Sequence, residues 1–205
     1  MVEPAFTASS PGVLATAGPA RVVEDLARDH GLIVRATVAL ERCVARLAGP
    51  GDVEARERDH LACLIGFFRE FTEGIHDAKE EDALIPALVG AGVAADTGVV
   101  REIMDAHLHA TRLLASVTAT RGERSVPRVS EYCEVVREHL RAEEHSLFPL
   151  VARHLDAAGE QRVMVGFRQI AERGGASRSY DRFDREIERL LSPLDELYPD
   201  RKRPW

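Results

Sequence analysis

Two stretches of the chain place imidazoles and carboxylates at the same spacing. The first reads His76-Asp-Ala-Lys-Glu80-Glu81-Asp-Ala-Leu84-Ile85-Pro86, the second His139-Leu-Arg-Ala-Glu143-Glu144-His145-Ser-Leu147-Phe148-Pro149. Both follow His-x-x-x-Glu-Glu-x-x-Leu-(Phe/Ile)-Pro. Helical residues four apart lie one turn apart on a shared face, so each stretch aims an imidazole and a carboxylate at one point. A single such pair arises by chance; two copies within a shared eleven-residue context are a strong signal. The proline closing each motif lacks a backbone donor and is expected to kink or end its helix just beyond the pair.

The elements that must carry these residues are helices. From Val22 to Leu47, Leu26, His30, Ile33, Thr37, Leu40 and Val44 recur at three- and four-residue steps, and Gly49-Pro50-Gly51 stops them. Asp52 is a cap for a second helix with Leu61, Ile65, Phe68, Thr72, His76 and Glu80 on its inner face, running to about Val89 with a bend near Pro86. Asp96 or Thr97 caps a third, with Val100, Ile103, Met104, His107, Thr111 and Leu114 in line as far as Arg121-Gly122. After Pro127 a fourth carries Tyr132, Val135, Val136, His139, Glu143, Leu147 and Leu150 to about Leu155. No segment alternates as a strand does. The expected fold is all-α, an up-down-up-down four-helix bundle with additional C-terminal helices over 159–173 and 180–191. The domain reading is a tail at 1–19, the bundle at 20–156 and a C-terminal helical extension at 157–205.

Groups that share a site in a bundle must lie at the same height. His107 is about 13 residues from the end of its helix and His139 about 12 from the start of the next, roughly 20 and 18 Å from one end. His76 and His107 agree less closely, at roughly 20 and 15 Å from the opposite end. His30 lies mid-helix on an apolar stripe. Each helix therefore offers one inward histidine, and two add a glutamate one turn on. Such groups are too costly to bury without a partner, and a metal ion is the obvious one. His60, His109, His145 and His154 fall on other faces or heights.

Composition narrows the rest. The 205 residues are 45% hydrophobic and 30% charged, as in a globular chain, and the net charge of −7 gives no invitation to nucleic acid or an anionic membrane. Cys43, Cys63 and Cys133 are widely spaced and fit free thiols, buried as small apolar residues in a reducing compartment. With no signal-peptide pattern and no membrane-length apolar run, the expected location is the cytoplasm.

At these residues the chain resembles the hemerythrin family, specifically the bacterial HHE cation-binding domains, over about residues 22–155. The carriers are Asp29-His30, His76-x-x-x-Glu80-Glu81, His107 followed by Arg112-Leu-Leu, and His139-x-x-x-Glu143-Glu144-x-x-Leu-Phe-Pro. The resemblance implies two bridged irons, with His30, His76, His107 and His139 as terminal ligands and Glu80 and Glu143 as bridges. The donor set suits iron by ligand type and leaves manganese and zinc open. Ferritin-like di-iron bundles need Glu-x-x-His on two helices; here Glu57-x-x-His60 and Glu73-x-x-His76 both fall on the second helix. One departure stands out: oxygen-carrying hemerythrins have a second histidine one turn after the third-helix ligand, where this chain has Thr111. About two of roughly twelve coordination positions would then be open. Tyr132, two turns before His139, and Glu73, one turn before His76, are the candidates to approach that vacancy, and are expected to stand behind the ligands rather than among them.

The function implied is binding of dioxygen, nitric oxide or peroxide for sensing, scavenging or storage, behind an apolar lining of Ile33, Val34, Phe68, Ile103, Met104 and Val135. The alternatives are a di-iron catalase or peroxidase and an iron donor for iron–sulfur cluster repair. A protein partner or second copy would dock through the C-terminal helices.

Overall fold

The computed structural model describes residues 20–48, 55–96, 98–119, 125–173 and 180–197. The expectations for the tail at 1–19, the stop at Gly49-Pro50-Gly51, the caps Asp52 and Thr97, and the Arg121-Gly122 end lie outside them.

Every regular element among the described residues is helical. Helix α1 is Ala20–Leu47; α2 runs unbroken over 55–90; α3 is Val99–Ala119; α4 runs unbroken over 125–154. Two more follow, α5 at Ala157–Arg173 and α6 at Tyr180–Leu197.

The antiparallel order is visible in the packing. Val22 and Leu26 at the start of α1 meet Leu84 and Leu88 late in α2, Val100 at the start of α3 and Val151 late in α4. At the other end, Leu40 and Val44 of α1 join Leu64 of α2, Leu114 and Val117 of α3, and Val129 and Tyr132 of α4. These are two separate apolar cores, and the polar residues of interest lie between them. Each fully buried Leu, Ile or Phe in them contributes about 1.5–3 kcal/mol.

The C-terminal helices, whose placement the sequence left open, pack on the bundle. Val163 and Phe167 of α5 enter one core; Phe183, Ile187 and Leu190 of α6 enter the other. Arg21 joins α1 to Glu160 of α5 at 3.1 Å, and Arg35 of α1 pairs with Asp184 and Glu188 of α6. The approach of α5 to α2 is close enough to require a glycine: a Cβ on Gly166 would lie 2.8 Å from the Cβ of Ala83.

The helices run on to about the ends the sequence led us to expect, and the prolines do something other than end them. Neither Pro86 nor Pro149 ends its helix, which continues to Gly90 and His154 respectively. Instead each follows a widened, π-helical turn, Glu80–Leu84 in α2 and Glu143–Leu147 in α4. The residue before each proline donates its N–H five positions back, Ile85 to Glu80 O and Phe148 to Glu143 O. A further π-helical run, Phe68–Asp77, precedes the first motif. Proline cannot donate the bond that would close an ordinary α-turn, and the wider register absorbs the loss.

Cys43 and Cys133 are buried as expected, but Cys63 is only half-buried, with its Sγ 2.6 Å from Glu186 Oε1. Burial and that carboxylate push its thiol up to about 11, which keeps it protonated. No helix among the described residues is long and apolar enough to cross a membrane.

Candidate metal centre

The structure brings all six residues singled out by type and spacing into one layer between the two cores. His76, Glu80 and Glu143 are completely buried, and His30, His107 and His139 are 3%, 4% and 8% exposed. The histidines form two edge-on pairs: His30 with His76 at 5.0 Å between ring centres, and His107 with His139 at 4.6 Å.

Glu143 stands between the pairs and offers one oxygen to each. Its Oε2 is 3.1 Å from His30 Nε2 and 3.8 Å from His76 Nε2; its Oε1 is 2.6 Å from His139 Nε2 and 3.6 Å from His107 Nε2. Glu80 Oε2 lies 3.4 Å from His107 Nε2. Two sets of possible ligand atoms result, His30, His76, Glu80, Glu143 and Glu80, His107, His139, Glu143, each within 4.8 Å. They share both carboxylates.

These atoms lack ordinary partners. All four Nε2 atoms and both oxygens of Glu80 and of Glu143 are buried without a hydrogen bond. Among the described residues, two further orphaned atoms, Asp29 Oδ1 and His76 Nδ1, belong to residues of the same neighbourhood. Each would cost about 1–3 kcal/mol left unmet, and more where charged. Imidazole and carboxylate groups that converge this closely without forming well-directed hydrogen bonds to one another fit a metal ion, or two.

The charges interlock. Burial pushes Glu143 up, but the four surrounding imidazoles outweigh it and hold its carboxyl well below the usual range. Burial and the neighbouring Glu143 raise Glu80. Burial opposes charge on His107, yet the carboxylates of Glu143, Glu80 and Glu81 push it up to about 12. Two carboxylates and several imidazoles crowded together share protons that a cation would displace.

Outer contacts fix the rings. Glu144 Oε1 meets His30 Nδ1 at 2.9 Å, and Glu81 Oε1 meets His107 Nδ1 at 2.7 Å. These are the second glutamates of the two motifs, which sequence reasoning left without a role; the repeated Glu-Glu doublet was the available signal. The wide turn begins at each motif's first glutamate, and its second reaches the neighbouring helix. Phe148 stacks on His30 at 5.4 Å.

The vacancy expected at Thr111 is arranged differently. Thr111 is exposed, as is Met104 at 38%, so neither lies on the inner stripe; α3 buries Val100, Ile103, His107, Leu113 and Leu114 instead. Met104 and Thr111 sit on the flanks of that stripe, about 100° round from Ile103 and Ala110. Tyr132 is buried edge-on against Phe68 at 5.1 Å, and Glu73 is half-buried beside Thr111. Neither joins the donor sets. A further buried carboxylate on the Nε2 side of the rings is Asp77, with Oδ1 3.8 Å from His107 Nε2. His60, His109, His145 and His154 are outside the donor sets, and His145 donates from Nδ1 to Arg141 O at 2.7 Å.

An antiparallel four-helix bundle closing on a buried layer of histidines and shared carboxylates defines a class of helical metal-binding proteins. Within that class, the chain belongs to the family of the hemerythrin HHE cation-binding domain, whose family model matches residues 21–151. No curated protein and no solved structure gives a significant match.

Proposed function

We propose that the protein is a non-haem di-iron protein that binds a small ligand (dioxygen, nitric oxide or peroxide) for sensing, scavenging or storage. The observation that carries this reading is the sharing of Glu80 and Glu143 between two histidine pairs, with one oxygen of Glu143 facing each. His30 and His76 would hold one ion, His107 and His139 the other, and the two glutamates would span both. A pair of iron ions supplies reversible redox chemistry and open positions for ligands.

Asp77 is the candidate for a seventh ligand, on the His107 side. Four histidines, two bridging carboxylates, one oxygen bridge and Asp77 would fill about eleven of roughly twelve positions on two six-coordinate ions. One open position suits one small ligand.

The chain's own contribution is orientation and exclusion. Glu144 and Glu81 hold the Nδ1 atoms of His30 and His107, which turns each Nε2 inward. The two flanking apolar cores close the layer above and below. A groove of about 420 Å³ between α3 and α4, walled by Ile103, Ala106, Val135 and Ala142, reaches His139. Glu102 and Glu138 rim it, which favours neutral ligands over anions.

The test is metal content per chain together with the optical spectrum of aerobically purified protein. About two irons per chain with near-ultraviolet oxo-bridge absorption is the expected result. A single zinc, or no uptake on iron reconstitution, would sink the reading. Vigorous oxygen evolution on adding hydrogen peroxide would replace ligand binding with peroxide turnover.

A further inference from the structure

Lys79 is one of only two lysines among 27 basic residues, and it is buried one position before Glu80. Its Nζ lies 2.7 Å from Asp25 Oδ2 and 2.6 Å from Asp29 Oδ2. The ring of Phe167, from α5, covers it at 5.4 Å. Asp29 faces the metal layer: its Oδ2 is 3.8 Å from His76 Nδ1, and its Oδ1 is buried with no partner.

This arrangement differs from the other ring-holding contacts. Glu144 and Glu81 are 45% and 37% exposed, whereas Asp29 is 1% exposed and fixed by a buried cation. A buried ion pair costs desolvation of both partners, and it holds geometry because breaking it leaves a bare charge. A compact ammonium with three rotatable donors can bond two carboxylates at once. Helix α5 lies outside the stretch that matches the family, yet it covers Lys79 through Phe167 and abuts the Glu80 turn through Gly166 and Ala83.

We propose that Lys79, sealed beneath Phe167 of α5, is a positioning residue for the metal centre: it holds Asp29 toward Nδ1 of His76 and so governs the His30/His76 half of the site. The inference rests on the two-ion reading above. It makes the C-terminal extension a working part of the centre. Phe167 adjoins a cavity of about 240 Å³ bounded by Asp25, Asp29, Lys79 and Tyr180, so its loss would admit water to the ion pair.

Cobalt(II) titration of the full, metal-free chain tests this, followed by ligand-field absorption and calorimetry. Wild type should take up two ions. In Lys79→Met, and in Asp29→Asn, which keeps the side-chain shape and leaves Lys79 paired with Asp25, one of the two steps should weaken about tenfold or more. The other should change less than about twofold, with only one ion's absorption bands altered. Phe167→Ala should shift the same step in the same direction, and Glu81→Gln the other one. Equal weakening of both steps would show general destabilisation and overturn the proposal, as would two unaltered steps. A wild-type chain that binds fewer than two ions would overturn the two-ion reading itself, an outcome visible before any variant is made.

Discussion

The second glutamate of each motif reaches across to another helix, Glu81 from α2 to His107 of α3 and Glu144 from α4 to His30 of α1. Carboxylates placed this way fix the tautomer and raise the basicity of a metal-bound imidazole. Glu81→Ala and Glu144→Ala should each lower metal affinity about 10- to 100-fold in a chelator competition, while His154→Ala leaves it unchanged. Unchanged affinity in both glutamate variants would remove their proposed role. The protonation pattern adds a pH prediction. His107 is raised from its ordinary 6.5 to about 12, so its contribution to metal-free stability is complete below about 6.5 and is lost as pH rises toward 12. The melting temperature of the metal-free protein should therefore fall between about pH 6.5 and 9, and metal loading should flatten that slope. A metal-free melting temperature that rises over this range would contradict the assignment. At this scale the sequence was informative where spacing was repeated. That His30, His76, Glu80, His107, His139 and Glu143 face one buried layer was legible from helical period and, for His76, His107 and His139, from height. Asp77 was not, because its approach to His107 depends on how α2 and α3 pack.

Among the elements, the two widened turns left the least trace in the sequence. Six helices follow from apolar periodicity, but an i→i−5 register has nearly the same periodicity over a single turn and leaves no separate trace. Only the proline two residues beyond each Leu hinted at it, and that hint read more naturally as a bend. The registers in α2 and α4 both open at the shared carboxylates, with Ile85 and Phe148 bonding back to Glu80 and Glu143. Pro149→Ala restores an N–H that can close an ordinary α-turn onto His145 O and draw the wide turn tight. Metal affinity should then drop several-fold while helical circular dichroism stays the same. If affinity holds, the wide turn is incidental to the site.

For the whole molecule, the two apolar cores are each completed by a different C-terminal helix, α5 on one and α6 on the other. Substituting Gly166→Leu should push α5 off α2 at Ala83 and destabilise the fold by about 1–3 kcal/mol, read as a lowered melting temperature. The sequence showed these helices as amphipathic without saying what they cover, since their partner faces are assembled from several distant segments. The polar layer they help enclose has a kinetic consequence. His76, Glu80 and Glu143 have no exposed surface, and of the six donor residues the groove between α3 and α4 is lined by His139 alone, so a chelator too large for that groove would take up an ion held there only when the helices part. Its rate of release is then the rate of that opening, and should stop rising with chelator concentration once capture outruns reclosure. Ions held this way would survive long exposure to competing ligands, which the proposed small-ligand role needs and an iron donor would not allow.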